Sequence, residues 1–167
     1  MRDGKIDLAL TDYDSVVKLD PNLLEGRFDR GAYLSLRRYD EAVVDFTEAI
    51  KLRPDVAFAY CDRAVGYFHK GAYGKAIEHD SEGIRRDPGL AFCYANRGSA
   101  KVKRGDYEQA IDDLTEALRL DPGNARAYFQ RGQAYESSGN LNGARSDYRA
   151  AFQIDPQLRT LLQPLIG

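Results

Sequence analysis

The sequence predicts an all-α fold: a solenoid of stacked antiparallel helix pairs, closed by a short C-terminal capping helix. Three observations carry that prediction. Proline recurs at nearly constant spacing, small and aromatic residues fall into columns when the chain is aligned on those prolines, and apolar residues between them keep a helical period. Pro21, Pro54, Pro88, Pro122 and Pro156 are separated by 33, 34, 34 and 34 residues. Ala9, Ala42, Ala76, Ala110 and Ala144 each stand twelve residues before one of them. A second column holds Val16, Ala49, Gly83, Ala117 and Ala151, and a third Ile6, Tyr39, Tyr73, Tyr107 and Leu141. Gly31, Ala64, Gly98 and Gly132 mark small residues earlier in the unit. Where two helices cross at about 8–10 Å the contact admits only Gly or Ala, and larger side chains fill the space beside it.

Residues 5–20 match the second helix of a unit, with Ile6, Ala9, Leu10, Tyr13 and Val17 as its apolar stripe and no first helix before it. Four units follow, over 22–54, 55–88, 89–122 and 123–156, within a single expected domain of 1–167. The third shows the pattern best. Its first helix is expected from Leu90 to Arg104, with Ala91, Tyr94, Gly98 and Lys101 one turn apart. Gly105 supplies a left-handed stop. The second helix begins near Asp106, carries Tyr107, Ala110, Ile111, Leu114, Ala117 and Leu118 on one stripe, and ends at Leu120-Asp121-Pro122, since proline cannot continue a helix. Over 157–167, Leu158, Leu161, Leu162 and Leu165 fall at i, i+3, i+4 and i+7, which suits a capping helix finished at Pro164.

Tyr94-Ala95-Asn96-Arg97-Gly98, then Gly105-Asp106-Tyr107-Glu108-Gln109-Ala110, then Ala117 and Asp121-Pro122 resemble the tetratricopeptide repeat pattern. The resemblance runs from Gly4 to Pro156. It implies a right-handed superhelix whose concave wall is built from the first helices and holds an extended or helical peptide. The sequence departs from the pattern in places. Tyr60, Tyr94 and Tyr128 stand where tryptophan is often found, with Arg27 in the first full repeat; Arg37 replaces the glycine that Gly71, Gly105 and Gly139 supply elsewhere; and Gly83 interrupts a second helix at a cost of about 1 kcal/mol in propensity.

By register, the peptide-binding wall is expected to present Glu25, Phe28 and Asp29, then Phe58, Cys61, Asp62, Val65, Phe68 and His69. Phe92, Asn96, Ser99, Val102 and Lys103 follow, then Arg126, Phe129, Gln130 and Gln133. A familiar variant of this groove clamps the acidic tail of a heat-shock chaperone with Lys, Asn and Arg. Of that set only Asn96 and Arg126 are in place, and Asp62 would repel a carboxylate. A separate column, Arg30, Arg63, Arg97 and Arg131, pairs in spacing with Asp12, Asp45, Asp113 and Asp147, which points to ion pairs between the helices of each unit. His79, beside Asp80, interrupts the acidic column.

Composition narrows the function. The chain has 167 residues, 43% hydrophobic and 30% charged, as in soluble globular proteins. Its net charge of −2 supplies no field for nucleic acid or anionic lipid. No apolar run is long enough for a signal peptide or a membrane span, so a cytoplasmic location is the default expectation. Two histidines, no phosphate-binding glycine motif and no recognisable nucleophile pattern argue against an enzyme, and no cofactor or metal is expected. Cys61 and Cys93 form no metal-binding pair and are expected to be reduced thiols, the alternative being a bridge between corresponding helices of adjacent repeats. The expected function is a scaffold binding a peptide or protein segment. The alternative is a self-associating module, a homodimer through the opening half-repeat or through Leu165-Ile166-Gly167 docking into a neighbour's groove.

Overall fold

The computed structural model describes residues 2–35 and 38–161, with side chains for all of these but 2–7, 33 and 159–161. The described residues hold helices α1 Arg2–Leu19, α2 Leu24–Leu34, α3 Tyr39–Leu52, α4 Ala57–His69, α5 Tyr73–Arg86, α6 Ala91–Arg104, α7 Tyr107–Leu120, α8 Ala125–Ser137 and α9 Leu141–Ile154, then a 3-10 helix Pro156–Leu161. They contain no strand. None of their helices is long and apolar enough to cross a membrane. The chain forms two compact units, Met1–Pro88 and Gly89–Gly167.

In the first unit α1 packs on α2, α2 on α3, α3 on α4 and α4 on α5. Leu10, Leu34, Ala42 and Phe46 form its buried core, with Phe28 laid against them. In the second unit α6 packs on α7, α7 on α8 and α8 on α9, and α6 also meets α8 directly. Ala110, Leu114, Leu118, Ala127 and Ala134 are buried together there. The small residues sit where helices touch: a Cβ added to Gly98 would lie 2.7 Å from Leu114 Cγ, and one on Gly132 would lie 2.7 Å from Tyr148 Cε1. Gly105 adopts φ +89°, with Gly71 and Gly139 alike, so the left-handed stops fall where the spacing places them.

The helix ends follow from the Asp-Pro pair. Asp121 ends α7 by donating its N–H to Ala117 O, 2.8 Å, and its carboxylate accepts the Gly123 N–H at 3.1 Å. Asp20 and Asp155 accept from Asn22 and Gln157 in the same way, both at 3.0 Å. Such a side chain offers the backbone a turn instead of another helical bond, and proline removes the donor that would extend the helix.

The expected Arg–Asp pairs are present. Arg30 Nε and Nη2 donate to the two oxygens of Asp45, each at 2.6 Å. Arg97 grips Asp113 at 2.8 and 2.7 Å, and Arg131 grips Asp147 at 2.7 and 2.8 Å. The repeat of one fork-on-fork geometry joins α2 to α3, α6 to α7 and α8 to α9. In the second full repeat Arg63 Nη2 donates to His79 Nδ1 at 3.1 Å instead. Two arginines also reach the preceding repeat, Arg63 to Thr47 Oγ1 at 3.3 Å and Arg131 to Thr115 Oγ1 at 3.0 Å. Asp12 is exposed and outside the ladder; its neighbour Asp14 accepts from Arg30 at 2.9 Å.

Four expectations change. The opening helix starts at Arg2 rather than Lys5, with Leu10 and Val17 buried; the side chain of Ile6 lies outside the described residues. The cap is the 3-10 helix Pro156–Leu161 and not an α-helix. Proline at its first position and Asp155, which takes the Gln157 N–H, set a tight turn there. Leu158 still packs on the Phe129–Ala151 cluster, while Leu162 and Leu165 lie outside the described residues, as does Arg37. Helix α6 begins at Ala91 with Leu90 as its cap, and α7 at Tyr107 with Asp106 as its cap. Cys61 and Cys93 are not reduced thiols: both are fully buried and disulfide-bonded.

Asp113 is 7% exposed and accepts from Lys101, 2.8 Å, as well as from Arg97. Changing it to Asn should lower stability by about 2–3 kcal/mol, because two partly buried cations lose their counter-charge. A urea midpoint unchanged from the parent chain would show that the pair is not a structural tie.

Candidate peptide-binding wall

The ladder decides which face each first helix leaves open. With the arginine and the small residue of a first helix turned to its second helix, positions five and one residues before the arginine, and two after it, share a different face. In the first unit that rule sets Glu25 and Asp29 of α2, with Ala32, in register with Phe58, Asp62 and Val65 of α4. Glu25, Asp29 and Ala32 are exposed, Phe58 is 49% exposed, and Asp62 and Val65 are half-buried. His69, one further turn along, is exposed and stacks on Tyr39 with ring centroids 4.4 Å apart. Phe68 is half-buried, edge-on to Tyr73 and His69.

In the second unit the same rule gives Phe92, Asn96, Ser99 and Lys103 on α6 and Arg126, Gln130 and Gln133 on α8. Lys103 and Arg126 are exposed, and Phe92, Asn96, Gln130 and Gln133 are half-buried, as is Val102. Ser99 Oγ lies 2.6 Å from Gln130 Oε1 and 2.6 Å from Ala95 O, sharing its one proton between them, and so ties α6 to α8. This bond was not legible in the residues alone, since nothing in the spacing pairs Ser99 with a glutamine 31 positions on.

Ser99, 8% exposed, is buried on the wall itself, and three further expected wall residues turn most of their surface inward. Cys61 is fully buried. Phe129 is 8% exposed and packs on Ala151, with Tyr148, Phe152 and Leu158 around it. Phe28 is half-buried, its ring edge-on to Phe46 at 6.0 Å, so most of its area serves the core. All three sit a quarter-turn inside the exposed stripe, where an aromatic or small apolar side chain is core by position.

Two titratable groups of the first unit are perturbed. Among the described residues no hydrogen bond or ion pair reaches Asp62, and burial pushes its carboxyl up to about 6. His79 is pushed down to about 4, first by burial and then by the Arg63 guanidinium, so it stays neutral and accepts from that arginine.

Known proteins share the repeat. Family profiles described as TPR repeat or tetratricopeptide repeat match residues 32–91, 98–139 and 125–158. The chain is a tetratricopeptide repeat protein. The crystal structure of MamA superposes with a TM-score of 0.79 at 24% identity, over 95% of this chain and 94% of that one, which establishes the fold alone. The second repeat domain of Spaghetti (RPAP3), solved with the HSP90 peptide SRMEEVD, is 36% identical over 60% of this chain and 93% of its own, with a TM-score of 0.59. A UDP-N-acetylglucosamine–peptide N-acetylglucosaminyltransferase of Giardia intestinalis is 36% identical over 67 residues. That match spans 36% of this chain and 4% of the transferase.

The perturbed groups have opposite signs in pH. Protonated Asp62 is favoured in the folded state, so its contribution is full below about pH 4 and lost as pH rises through about 6; neutral His79 contributes above about 6.5 and loses ground below it. Asp62→Asn leaves the histidine in both proteins. It should therefore raise stability at pH 7 by about 1–2 kcal/mol, the cost of a carboxylate in a partly dry site, and the gain should shrink toward pH 4. Thermal melts of the two proteins across that range measure it; a gain that does not vary with pH would assign the effect to packing.

Proposed function

We propose that this tetratricopeptide repeat protein is a scaffold that holds a peptide or protein segment on the outward stripes of its first helices. One observation carries the reading. The positions turned to the second helices repeat from unit to unit, Arg beside Gly or Ala, whereas the outward positions in the same register differ: Glu25, Phe58, Phe92 and Arg126 in one column, Asp29, Asp62, Asn96 and Gln130 in the next. Invariant packing with a varied outward face suits a fold that recognises by side chain rather than one that performs chemistry. The RPAP3 domain, bound to a chaperone peptide, supports a peptide as the kind of ligand.

Phe58 is the aromatic anchor in this reading, since a half-exposed ring offers large apolar area to a ligand and aromatic residues dominate binding hot spots. Self-association is the second reading, supported by the exposed side chains of Leu8, 70%, and Leu19, 87%, on α1. Phe58→Ala should change stability by no more than about 1 kcal/mol, yet weaken peptides selected on the parent chain from a random library by about tenfold. Amide shifts confined to second helices on adding those peptides would sink the wall. A mass in solution that doubles with concentration, and that Leu8→Glu with Leu19→Glu returns to the monomer, would favour self-association.

A further inference from the structure

We infer that the first-helix face of the Met1–Pro88 unit takes a basic peptide segment, one whose lysine or arginine side chains flank an apolar residue. The inference rests on the scaffold reading and names the chemistry of its ligand.

The argument begins with where the cations of this unit go. Helices α2 and α4 carry three arginines, and all three are committed to second helices. Arg27 and Arg30 close on Asp45, the former at 3.1 Å and the latter at 2.6 Å, and Arg63 closes on His79. The ladder therefore draws every guanidinium of these two helices to one side. The carboxylates of Glu25, Asp29 and Asp62 remain on the other; among the described residues none of them takes part in an ion pair or side-chain hydrogen bond, and only Glu25 feels a cation, Arg53, through space.

Such an arrangement is costly as it stands. Glu25 and Asp29 are one turn apart on α2, where like charges at i, i+4 oppose the helix. Asp62 is half-buried with no counter-charge. A cation laid across this face relieves both costs at once, and an anion adds to them. Phe58, one turn before Asp62 on α4, and Val65, just under one turn after it, give the same ligand an apolar seat, so the complementary segment alternates charge and apolar bulk. Second-unit positions in the same register carry no carboxylate: Asn96, Lys103, Arg126 and Gln130 stand there, so acidity is peculiar to the first unit and not a property of the repeat.

The test uses the whole chain and three synthetic peptides with one leucine core, flanked by arginines, by glutamines or by glutamates, with SRMEEVD as a fourth. Binding is read by fluorescence anisotropy at low and moderate salt. The arginine peptide is expected to bind best, to weaken as salt rises, and to lose about tenfold or more with Glu25→Gln, Asp29→Asn and Asp62→Asn combined, the size of one or two partly exposed ion pairs. Circular dichroism confirms that this variant folds, and each single substitution stands in should it not. If the glutamine peptide binds as well as the arginine one, or if SRMEEVD or the glutamate peptide binds better, the inference is overturned while the scaffold reading stands. If no peptide of the set binds and Phe58→Ala changes nothing for library-selected peptides, the scaffold reading itself fails and the inference falls with it.

Discussion

The interaction on which three of the four full helix pairs depend is the two-pronged contact of an arginine with an aspartate across the pair. A buried ion pair gains little when its geometry is loose, because the loss of water costs as much as the attraction returns. Here both prongs are short and parallel in the first, third and fourth repeats, so the aspartate oxygens that face the interior are satisfied. The contact also presupposes its neighbour in sequence. Gly31, Gly98 and Gly132 each follow their arginine directly, and only without a side chain there do the helices come close enough for the fork to reach. Ion pair and close approach are one device, and the second repeat runs it in weakened form, with Ala64 for glycine and His79 for aspartate.

A second recurring contact explains why the column usually given to tryptophan tolerates other residues here. Tyr60 donates its hydroxyl to Pro54 O at 3.1 Å, and Arg27, one repeat earlier, donates its Nε to Pro21 O at 3.2 Å. Both residues tie the turn proline's carbonyl, which no helix satisfies, back to the following first helix. The tyrosine ring adds a seat for a cation: the guanidinium of Arg86 lies 4.0 Å from the Tyr60 centroid, and the ladder arginines Arg97 and Arg131 lie 5.7 Å from Tyr94 and Tyr128. Arg27 and Tyr60 share a donor long enough to reach a carbonyl six residues back, and Arg27 does so without an aromatic ring.

Most of the fold was legible because its causes are local and repeat. A proline that ends a helix, a glycine with positive φ, and an arginine one residue before the closest contact each act within a turn or a helix pair, and so print a period on the sequence. Contacts between repeats print less. Thr47 and Thr115, which receive Arg63 and Arg131 from the following repeat, stand two periods apart with Ser81 between them, a column too varied to notice before the bonds are seen. The wall was half legible. Register sets Phe58, Asp62, Asn96 and Gln130 at one position or near it around their helices, but one position of rotation separates that face from the core, and Cys61 and Phe129 fall on the inner side of it. The cap misled for a simpler reason, since leucines at helical spacing report an apolar stripe and not which helix carries it.

The same ladder that holds each pair together also sorts its charge. An arginine engaged by an inward aspartate is lost to the outer face, so that face inherits whatever charge the remaining positions carry. In the Met1–Pro88 unit those positions are acidic and apolar; in the Gly89–Gly167 unit they are amide and basic. Neither character disturbs the pairs, because the ladder's aspartates are satisfied from within: Asp45 and Asp147 by arginine, Asp113 by Arg97 and Lys101. The ladder thereby keeps one side of each first helix constant and leaves the other free to vary in charge and bulk, as Glu25, Phe58, Phe92 and Arg126 do.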